Sequence, residues 1–247
     1  MDEFHGKVAL ITGAGQGLGC EIAMAFCSLG VAVAANDINP LNLDEVVNQV
    51  QQSGGRAKAF VFDIAKRMPV EGMIAQVLEQ FGHIDILVNH AAVVPDVSIL
   101  DMDEWEFHRT LDVNLAGPFF CMQHVGRVMR EHGGGTIVNM VFSPRMARAQ
   151  KGVAAYAASQ AGLLGLTYAA SQEFAPYNIQ VNAICTGVYD DTLFRSQNWN
   201  VKKLHQWLDT VPGVRLGIHK DLVGLVLFLC SRAASSLTGQ VLSIESI

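Results

Sequence analysis

A glycine-rich segment, TGAGQGLG at residues 12–19, separates an apolar run from a segment with helical spacing. The run KVALITG (7–13) is typical of a buried strand, and LGCEIAMAFCSLG (18–30) is typical of a helix that ends at a glycine. Glycines at such a junction allow a tight turn and a close approach to a pyrophosphate, which the free N–H groups of the helix N-terminus attract. The segment therefore predicts a strand–turn–helix unit that binds a dinucleotide.

The alternation of strand-like and helix-like segments continues along the chain. Continuous apolar strands separated by helices indicate a parallel sheet that is covered on both faces. Because 247 residues without a linker or low-complexity tract fit one domain, we predict a single α/β domain over residues 1–247. The further strands are predicted at 31–36, 57–63, 84–90, 135–141, 178–184 and 239–245, and the further helices at 40–55, 67–82, 103–132, 153–175 and 219–232.

The composition favours a globular cytoplasmic protein. The net charge of −6 argues against nucleic acid or an anionic membrane as a partner, and no apolar run reaches the length of a membrane span. The acidic N-terminus MDEFHGK does not resemble a signal peptide. Since no CxxC pair is present, we expect no metal site and expect all five cysteines to be buried hydrophobic residues in a reducing compartment: Cys20, Cys27, Cys121, Cys185 and Cys230.

One carboxylate follows the second predicted strand. Asp37 lies 18 residues after Gly19, where a carboxylate accepts hydrogen bonds from a ribose 2′-hydroxyl and repels a 2′-phosphate. Neither Gln16 nor Ile38 supplies a cation for such a phosphate. These residues favour NAD(H) over NADP(H). The alternative is a glycine turn kept for packing, with Asp37 at the entry of a helix.

The spacing TGxxxGxG resembles that of the short-chain dehydrogenase/reductase family, and the resemblance covers essentially the whole chain. The segments VFDIA (61–65), VNLAGPFF (113–120), YNIQVNAI (177–184) and SSLTGQVLSIE (235–245) are similar to further family segments. The resemblance implies a Rossmann fold: a doubly wound parallel sheet of seven strands in the order 3-2-1-4-5-6-7, with helices on both faces. It also implies hydride transfer between a nicotinamide and a carbinol or carbonyl carbon.

The family pattern implies a set of cofactor-binding positions. Asp63 and Ile64 correspond to residues beside the adenine, and Asn114 corresponds to an asparagine that supports a catalytic water chain. Whether the chain still binds NAD(H) is left open by the departures described next. The positions expected to bind it are Gly13, Gln16, Gly17, Leu18, Gly19, Asp37, Ile38, Asp63, Ile64, Asn89, Ala91, Gly187 and Val188.

The largest departure from the family pattern is at the catalytic lysine. In the family a tyrosine exchanges a proton with the substrate oxygen, and a lysine four residues later on the same helix face lowers the tyrosine pKa and binds the nicotinamide ribose. Here the tyrosine is Tyr156, and the lysine position holds Gln160. A cation at about 4–5 Å favours a phenolate by roughly 3–4 kcal/mol, or 2–3 pKa units. We therefore expect Tyr156 to be a poor base at pH 7, unless Arg145 or Arg148 reaches the site.

The catalytic serine is also out of place. Without a gap its position is Phe142, whereas counting back from Tyr156 gives Ser143, which serves only if the loop carries one extra residue. Pro144 follows that serine and makes the local backbone unusual.

Three further departures surround the same pocket. NHAA (89–92) stands where the family has NNAG; we expect His90 to be buried and hydrogen-bonded, with a role as catalytic acid as the alternative. The pair TG (186–187) replaces Pro-Gly, and ESI (245–247) replaces Asp-Gly-Gly. The substrate-loop region is expected at 190–218, where aromatic residues line a pocket or pack on the sheet edge, and where two lysines meet an acidic group or solvent; these are Phe194, Trp199, Trp207, Lys202 and Lys203.

Several departures around one pocket, with the nucleotide turn intact, suggest a chain whose chemistry is no longer required. Our first hypothesis is a catalytically impaired subunit that assembles with an active family member oxidising a secondary alcohol or hydroxyacyl substrate. The hydroxyacyl-CoA-type dehydrogenase of anaerobic toluene degradation is a family precedent for such a pairing. One alternative is an active NAD(H)-dependent alcohol or ketone oxidoreductase that uses Tyr156, Ser143 and Asn114 without the lysine. Another is an NAD(H)-binding sensor without chemistry.

The predicted helices at 103–132 and 153–175 resemble the pair that forms a four-helix interface in family tetramers. We expect the partner there to be another family member or a second copy of this chain. Small residues permit close approach of helices, although they pack equally well on the chain's own sheet. In the second helix these residues are Ala154, Ala155, Ala157, Ala158, Ala161, Gly162 and Gly165.

Overall fold

The polypeptide forms a seven-stranded parallel sheet with the strand order β3-β2-β1-β4-β5-β6-β7. The computed structural model describes residues 3–142, 151–187 and 217–244. Both the parallel sheet and its order are confirmed. The strands are β1 (Val8–Thr12), β2 (Ala32–Asp37), β3 (Ala57–Val61), β4 (Ile86–Asn89), β5 (Gly135–Phe142), β6 (Ile179–Thr186) and β7 (Val241–Ile244).

Helices cover both faces of the sheet. Successive side chains of β1 point to opposite sides, so Ile11 packs in one apolar cluster with Phe26 and Val46, whereas Leu10 packs in the other with Met129. The doubly wound arrangement is thus confirmed. The α-helices are α1 (Gly17–Ser28), α2 (Pro40–Gln52), α3 (Arg67–Phe81), α4 (Glu104–Leu111), α5 (Gly117–Glu131), α6 (Ala154–Phe174) and α7 (His219–Leu229).

Local signals set the ends of several helices. Asn39 caps α2 by accepting hydrogen bonds from the N–H groups of Leu41 and Asn42, and Pro40 occupies the first helical position. Gly82 ends α3 in the left-handed conformation, with φ of 85°. The largest differences in helix ends are at the helices predicted over 40–55 and 219–232, which end at Gln52 and Leu229.

Helical residues run without a gap from Glu104 to Glu131, so the helix predicted over 103–132 is confirmed, although its hydrogen bonding changes partway along. A five-residue π-helical turn, Asp112–Ala116, separates α4 from α5. Within this turn the Asn114 side chain forms two 2.8 Å hydrogen bonds to the backbone of Val93, one as acceptor and one as donor. Turns of this kind are frequent at functional sites, and this one contacts the segment that follows the carboxyl end of β4.

Four of the five cysteines are buried as expected, but Cys20 is half-buried. Burial raises the pKa of the Cys121 and Cys230 thiols to about 12, so both are neutral at pH 7. Over residues 3–142, 151–187 and 217–244 there is no group of three or more His, Cys, Asp or Glu side chains able to hold a metal ion. No helix in the same ranges has the length and apolarity needed to cross a membrane.

Candidate functional site

A cleft of about 300 Å3 opens at the carboxyl ends of strands β1 to β4. Strand β1 lies between β2 and β4, so the chain connections diverge on either side of it. Open α/β sheets bind ligands in the crevice at such a point. The cleft is lined by Gly13, Gln16, Asn36, Asp37, Ile38, Asn39, Asn42, Phe62, Asp63, Ile64, His90, Ala91, Ala92, Val93, Arg109 and Val113.

The glycine turn brings backbone segments closer than side chains allow. Gly13 has φ of +70°, and a Cβ there would lie 2.8 Å from the Cα of Ala91. A Cβ on Gly19 would overlap the carbonyl oxygen of Gly13. The N-cap of α1 is Gln16, whose side chain makes no capping hydrogen bond. The first N–H groups of α1 therefore keep the arrangement that attracts a phosphate.

The Asp37 carboxylate is held at the wall of the cleft by two backbone groups. Its Oδ2 accepts a 3.1 Å hydrogen bond from the N–H of Gly15, and its Oδ1 accepts one of 3.1 Å from the N–H of Asn39. Because each carboxylate oxygen accepts about two hydrogen bonds, this arrangement leaves capacity for a ribose hydroxyl. Ile38 beside it is 59% exposed and carries no charge.

A second carboxylate, Asp63, lies further along the cleft and is paired with Arg109. Its Oδ2 is 2.9 Å from Nη1 of Arg109, and its Oδ1 accepts a 3.0 Å hydrogen bond from the N–H of Ala65. The apolar side chains of Ile64 and Val113 are buried next to this pair. The sequence analysis did not identify Arg109, because the two charges are 46 residues apart in sequence.

Thr12 connects β1 to the segment after β4. Its Oγ1 accepts hydrogen bonds from the N–H groups of His90 (3.0 Å) and Ala91 (3.2 Å). His90 is half-buried rather than fully buried as expected, and it lines the cleft. Asn89 is fully buried and donates through Nδ2 to Oδ1 of Asn139 at 2.8 Å. The side chain of Asn89 thus joins β4 to β5.

The residues present fit the adenosine diphosphate half of a dinucleotide. An uncapped helix N-terminus suits a pyrophosphate, the Asp37 carboxylate suits a ribose hydroxyl, and the apolar slot beside Asp63 suits a base. Asn36 also lines this cleft, and its buried Oδ1 has no hydrogen-bond partner. Gly187, which is not among the residues that line the cleft, is buried and donates to the carbonyl oxygen of Ile244 at 3.0 Å.

Tyr156 and Gln160 both lie on the buried face of α6, but the glutamine is occupied by the sheet. Gln160 is 4% exposed, and its Oε1 accepts a 2.8 Å hydrogen bond from the N–H of Phe142 at the end of β5. The Phe142 ring lies 5.6 Å from the Tyr156 ring at an angle of 49°. Gln160, an uncharged side chain that is hydrogen-bonded to the backbone, therefore occupies the position where the resemblance implies a lysine ammonium group.

Asn114 is linked to the same helix. Its Nδ2 donates to Oγ of Ser159 at 3.2 Å, and the Ser159 hydroxyl donates to the carbonyl oxygen of Tyr156 at 2.7 Å. The π-helical turn is therefore joined to α6 beside the tyrosine.

Several residues named from the sequence lie outside the described residues: Ser143, Pro144, Arg145, Arg148, Val188, Phe194, Trp199, Lys202, Lys203, Trp207 and 245–247, with nearly all of the predicted loop 190–218.

A second groove, of about 220 Å3, runs between α5 and α6. Its walls include Phe119 and Phe174, and Phe119 is 42% exposed.

The small residues of α6 are divided between two environments. Ala155 is buried and a Cβ on Gly162 would touch Leu115, whereas a Cβ on Gly165 would have no neighbour within 4 Å.

Comparisons with known proteins agree with this architecture. The model of the family described as enoyl-(acyl carrier protein) reductase matches residues 13–246. The 3-oxoacyl-[acyl-carrier-protein] reductase FabG of Thermotoga maritima is 33% identical over 241 residues, which are 98% of this chain and 97% of that protein. A short-chain type dehydrogenase/reductase from Mycobacterium marinum superimposes with a TM-score of 0.93 at 33% identity, covering 99% of this chain and 97% of the other. NAD+-bound xylitol dehydrogenase superimposes with a TM-score of 0.89 at 30% identity, covering 99% and 100%.

Proposed function

Because this chain belongs to the short-chain dehydrogenase/reductase family, we propose that it is an NAD(H)-binding oxidoreductase subunit whose own proton relay is impaired. In this proposal it works in the cytoplasm and assembles with an active family member that oxidises a secondary alcohol or hydroxyacyl substrate. Bound NAD would supply the hydride acceptor. The residues of this chain would bind and orient its adenosine end.

The observation that carries the proposal is the position of Gln160. Its carboxamide oxygen is 2.8 Å from the backbone N–H of Phe142, and the side chain is buried. An amide carries no charge to stabilise a phenolate, and this one is turned toward the backbone of β5. Gln160 therefore does not supply the charge with which a lysine at this position would assist proton transfer at the Tyr156 hydroxyl.

The nucleotide end supports retained binding of NAD(H). The Asp37 carboxylate is fixed by two N–H groups and favours a ribose hydroxyl over a 2′-phosphate. The N-terminus of α1 has no side-chain cap, which leaves its N–H groups for a phosphate. The same features suit a sensor that binds NAD(H) without chemistry, which would need no second subunit.

The groove between α5 and α6 supports assembly. It presents apolar side chains such as Phe119, and Tyr168 on α6 is 51% exposed. We propose that the corresponding helices of an active relative cover this surface. The names of relatives, such as the FabG of Thermotoga maritima, support an oxoacyl or hydroxyacyl compound as the substrate class of that relative.

The experiment that tests this function is purification of the tagged chain from its own source, followed by identification of stoichiometric partners. We expect to find a family member with an intact Tyr-x-x-x-Lys motif. Its NAD-dependent turnover should rise at least about tenfold when this chain is added. Such an increase corresponds to lowering the activation free energy by about 1.4 kcal/mol through better positioning of the partner's active site. The control is Phe119→Glu, which places a charge in the groove and should abolish the increase. A homo-oligomer that turns over substrate by itself would contradict the proposal.

A further inference from the structure

The Asp63–Arg109 ion pair lies where the base of a bound dinucleotide would sit. A pyrophosphate at the N-terminus of α1 and a ribose at Asp37 fix the direction in which the nucleotide runs. The cleft is also lined by the apolar side chains of Ile38, Ile64 and Val113. These side chains form an apolar slot with one charged pair at its wall. Such an arrangement suits a flat ring that is bound by apolar contacts and recognised by hydrogen bonds along one edge.

The Asp63 carboxylate can distinguish between purines. An ionised carboxylate only accepts hydrogen bonds, so it pairs with an exocyclic amino group and repels a carbonyl oxygen at the same place. Its two oxygens already accept one hydrogen bond each, from the N–H of Ala65 and from Nη1 of Arg109, and each retains a further lone pair. An amino-bearing purine such as adenine matches this acceptor, whereas a 6-oxo purine such as hypoxanthine does not.

Without the arginine the carboxylate has one fixed partner. The Asp63 side chain is 40% exposed, so it would rotate toward water when held only by the N–H of Ala65. The Arg109 side chain is 27% exposed and reaches Asp63 from α4, directly before the π-helical turn. Its planar guanidinium fixes the position of one carboxylate oxygen.

From this geometry we infer that Arg109 is a positioning residue for base selection: it holds the Asp63 carboxylate in the orientation that accepts the amino group of adenine. The inference rests on the proposed binding of NAD(H) and adds the residue that sets which base is accepted. Arg109 acts through Asp63, so its removal should alter the choice between bases more than the binding of the rest of the nucleotide.

The test compares NADH with reduced nicotinamide hypoxanthine dinucleotide, which carries a 6-oxo group in place of the amino group. We expect the parent chain to bind NADH about tenfold tighter than the analogue, the size of one hydrogen bond to a charged acceptor. In Arg109→Met the preference should fall to about twofold or less. Dissociation constants are measured by the fluorescence of the reduced nicotinamide ring.

Two further variants make the result decisive. Asp63→Ala should also remove the preference, and the double variant with Arg109→Met should behave like Asp63→Ala alone, because the arginine acts through the carboxylate. Lys66→Met is the matched control: it removes a cation of the exposed ion pair with Asp112, 2.8 Å long, outside the cleft, and should keep the tenfold preference.

The possible outcomes separate this inference from the proposed function. If the parent chain binds both nucleotides equally, or if Arg109→Met weakens both by the same factor, Arg109 does not select the base, while NAD(H) binding stands. If the folded parent binds neither nucleotide, the proposed function fails and this inference fails with it.

Discussion

Gly19→Ala is expected to weaken NADH binding at least about 100-fold. The turn must open to make room for the added methyl group, and the pyrophosphate then loses about two charge-assisted hydrogen bonds. A Cβ at this position would overlap the Gly13 carbonyl oxygen and lie 2.9 Å from Cδ2 of His90. Backbone cannot move aside as a flexible side chain does. Fluorescence titration with NADH measures the loss, and circular dichroism checks that the variant is folded.

Two other glycines make the test specific. Gly224→Ala on α7 is the control, since its Cβ would have no neighbour within 4 Å, and it should leave NADH binding unchanged. If Gly19→Ala does not fold, Gly15→Ala replaces it. Its Cβ would lie 2.8 Å from Oδ2 of Asp37, so it displaces the carboxylate and should weaken binding by about tenfold. Unchanged affinity in both variants would contradict a nucleotide site at this turn.

Gln160→Lys is expected to destabilise the protein by about 2–4 kcal/mol and to give no turnover, because it removes a buried acceptor and buries an ammonium group. The carboxamide oxygen of Gln160 is 2.8 Å from the Phe142 N–H, and the side chain is 4% exposed. Restoring the family's lysine therefore conflicts with the packing at the end of β5. Urea unfolding at pH 7 measures the change in stability.

The control for this substitution is Gln160→Met, which has a similar length but neither a charge nor an oxygen. It should cost about 1–3 kcal/mol, because it removes the acceptor of the buried Phe142 N–H. The difference between the two variants then reports the buried charge. A Gln160→Lys protein as stable as the parent, with a newly gained ability to oxidise NADH, would mean that one residue alone separates this chain from an active enzyme.

The fold follows from local sequence to a large extent. Buried strands such as Val8–Thr12 are continuous apolar runs, and the glycine turn after β1 marks the start of the dinucleotide half. The π-helical turn between α4 and α5 was not predictable from periodicity. It depends on the hydrogen bonds between Asn114 and Val93, two residues 21 apart that meet only in the folded chain.

The same distinction applies to the site. Asp37 was identifiable because its offset from the glycine turn is fixed by the strand–turn–helix unit. The partner of Asp63 was not, because Arg109 comes from a different helix. The loss of a lysine at Gln160 was visible in the sequence, but its hydrogen bond to Phe142, 18 residues away, required the structure.

The most direct test of the central claim compares NADH oxidation by the parent chain with that by Tyr156→Phe. Both proteins are saturated with NADH and supplied with a 3-oxoacyl thioester or simple ketones as hydride acceptors. An effective proton donor contributes about 100-fold or more to such a step. We predict equal rates within about twofold, because Gln160 carries no charge to assist proton transfer at the Tyr156 hydroxyl. A parent chain that oxidises NADH at least about tenfold faster than Tyr156→Phe would show that the tyrosine works without the lysine, and would contradict the account.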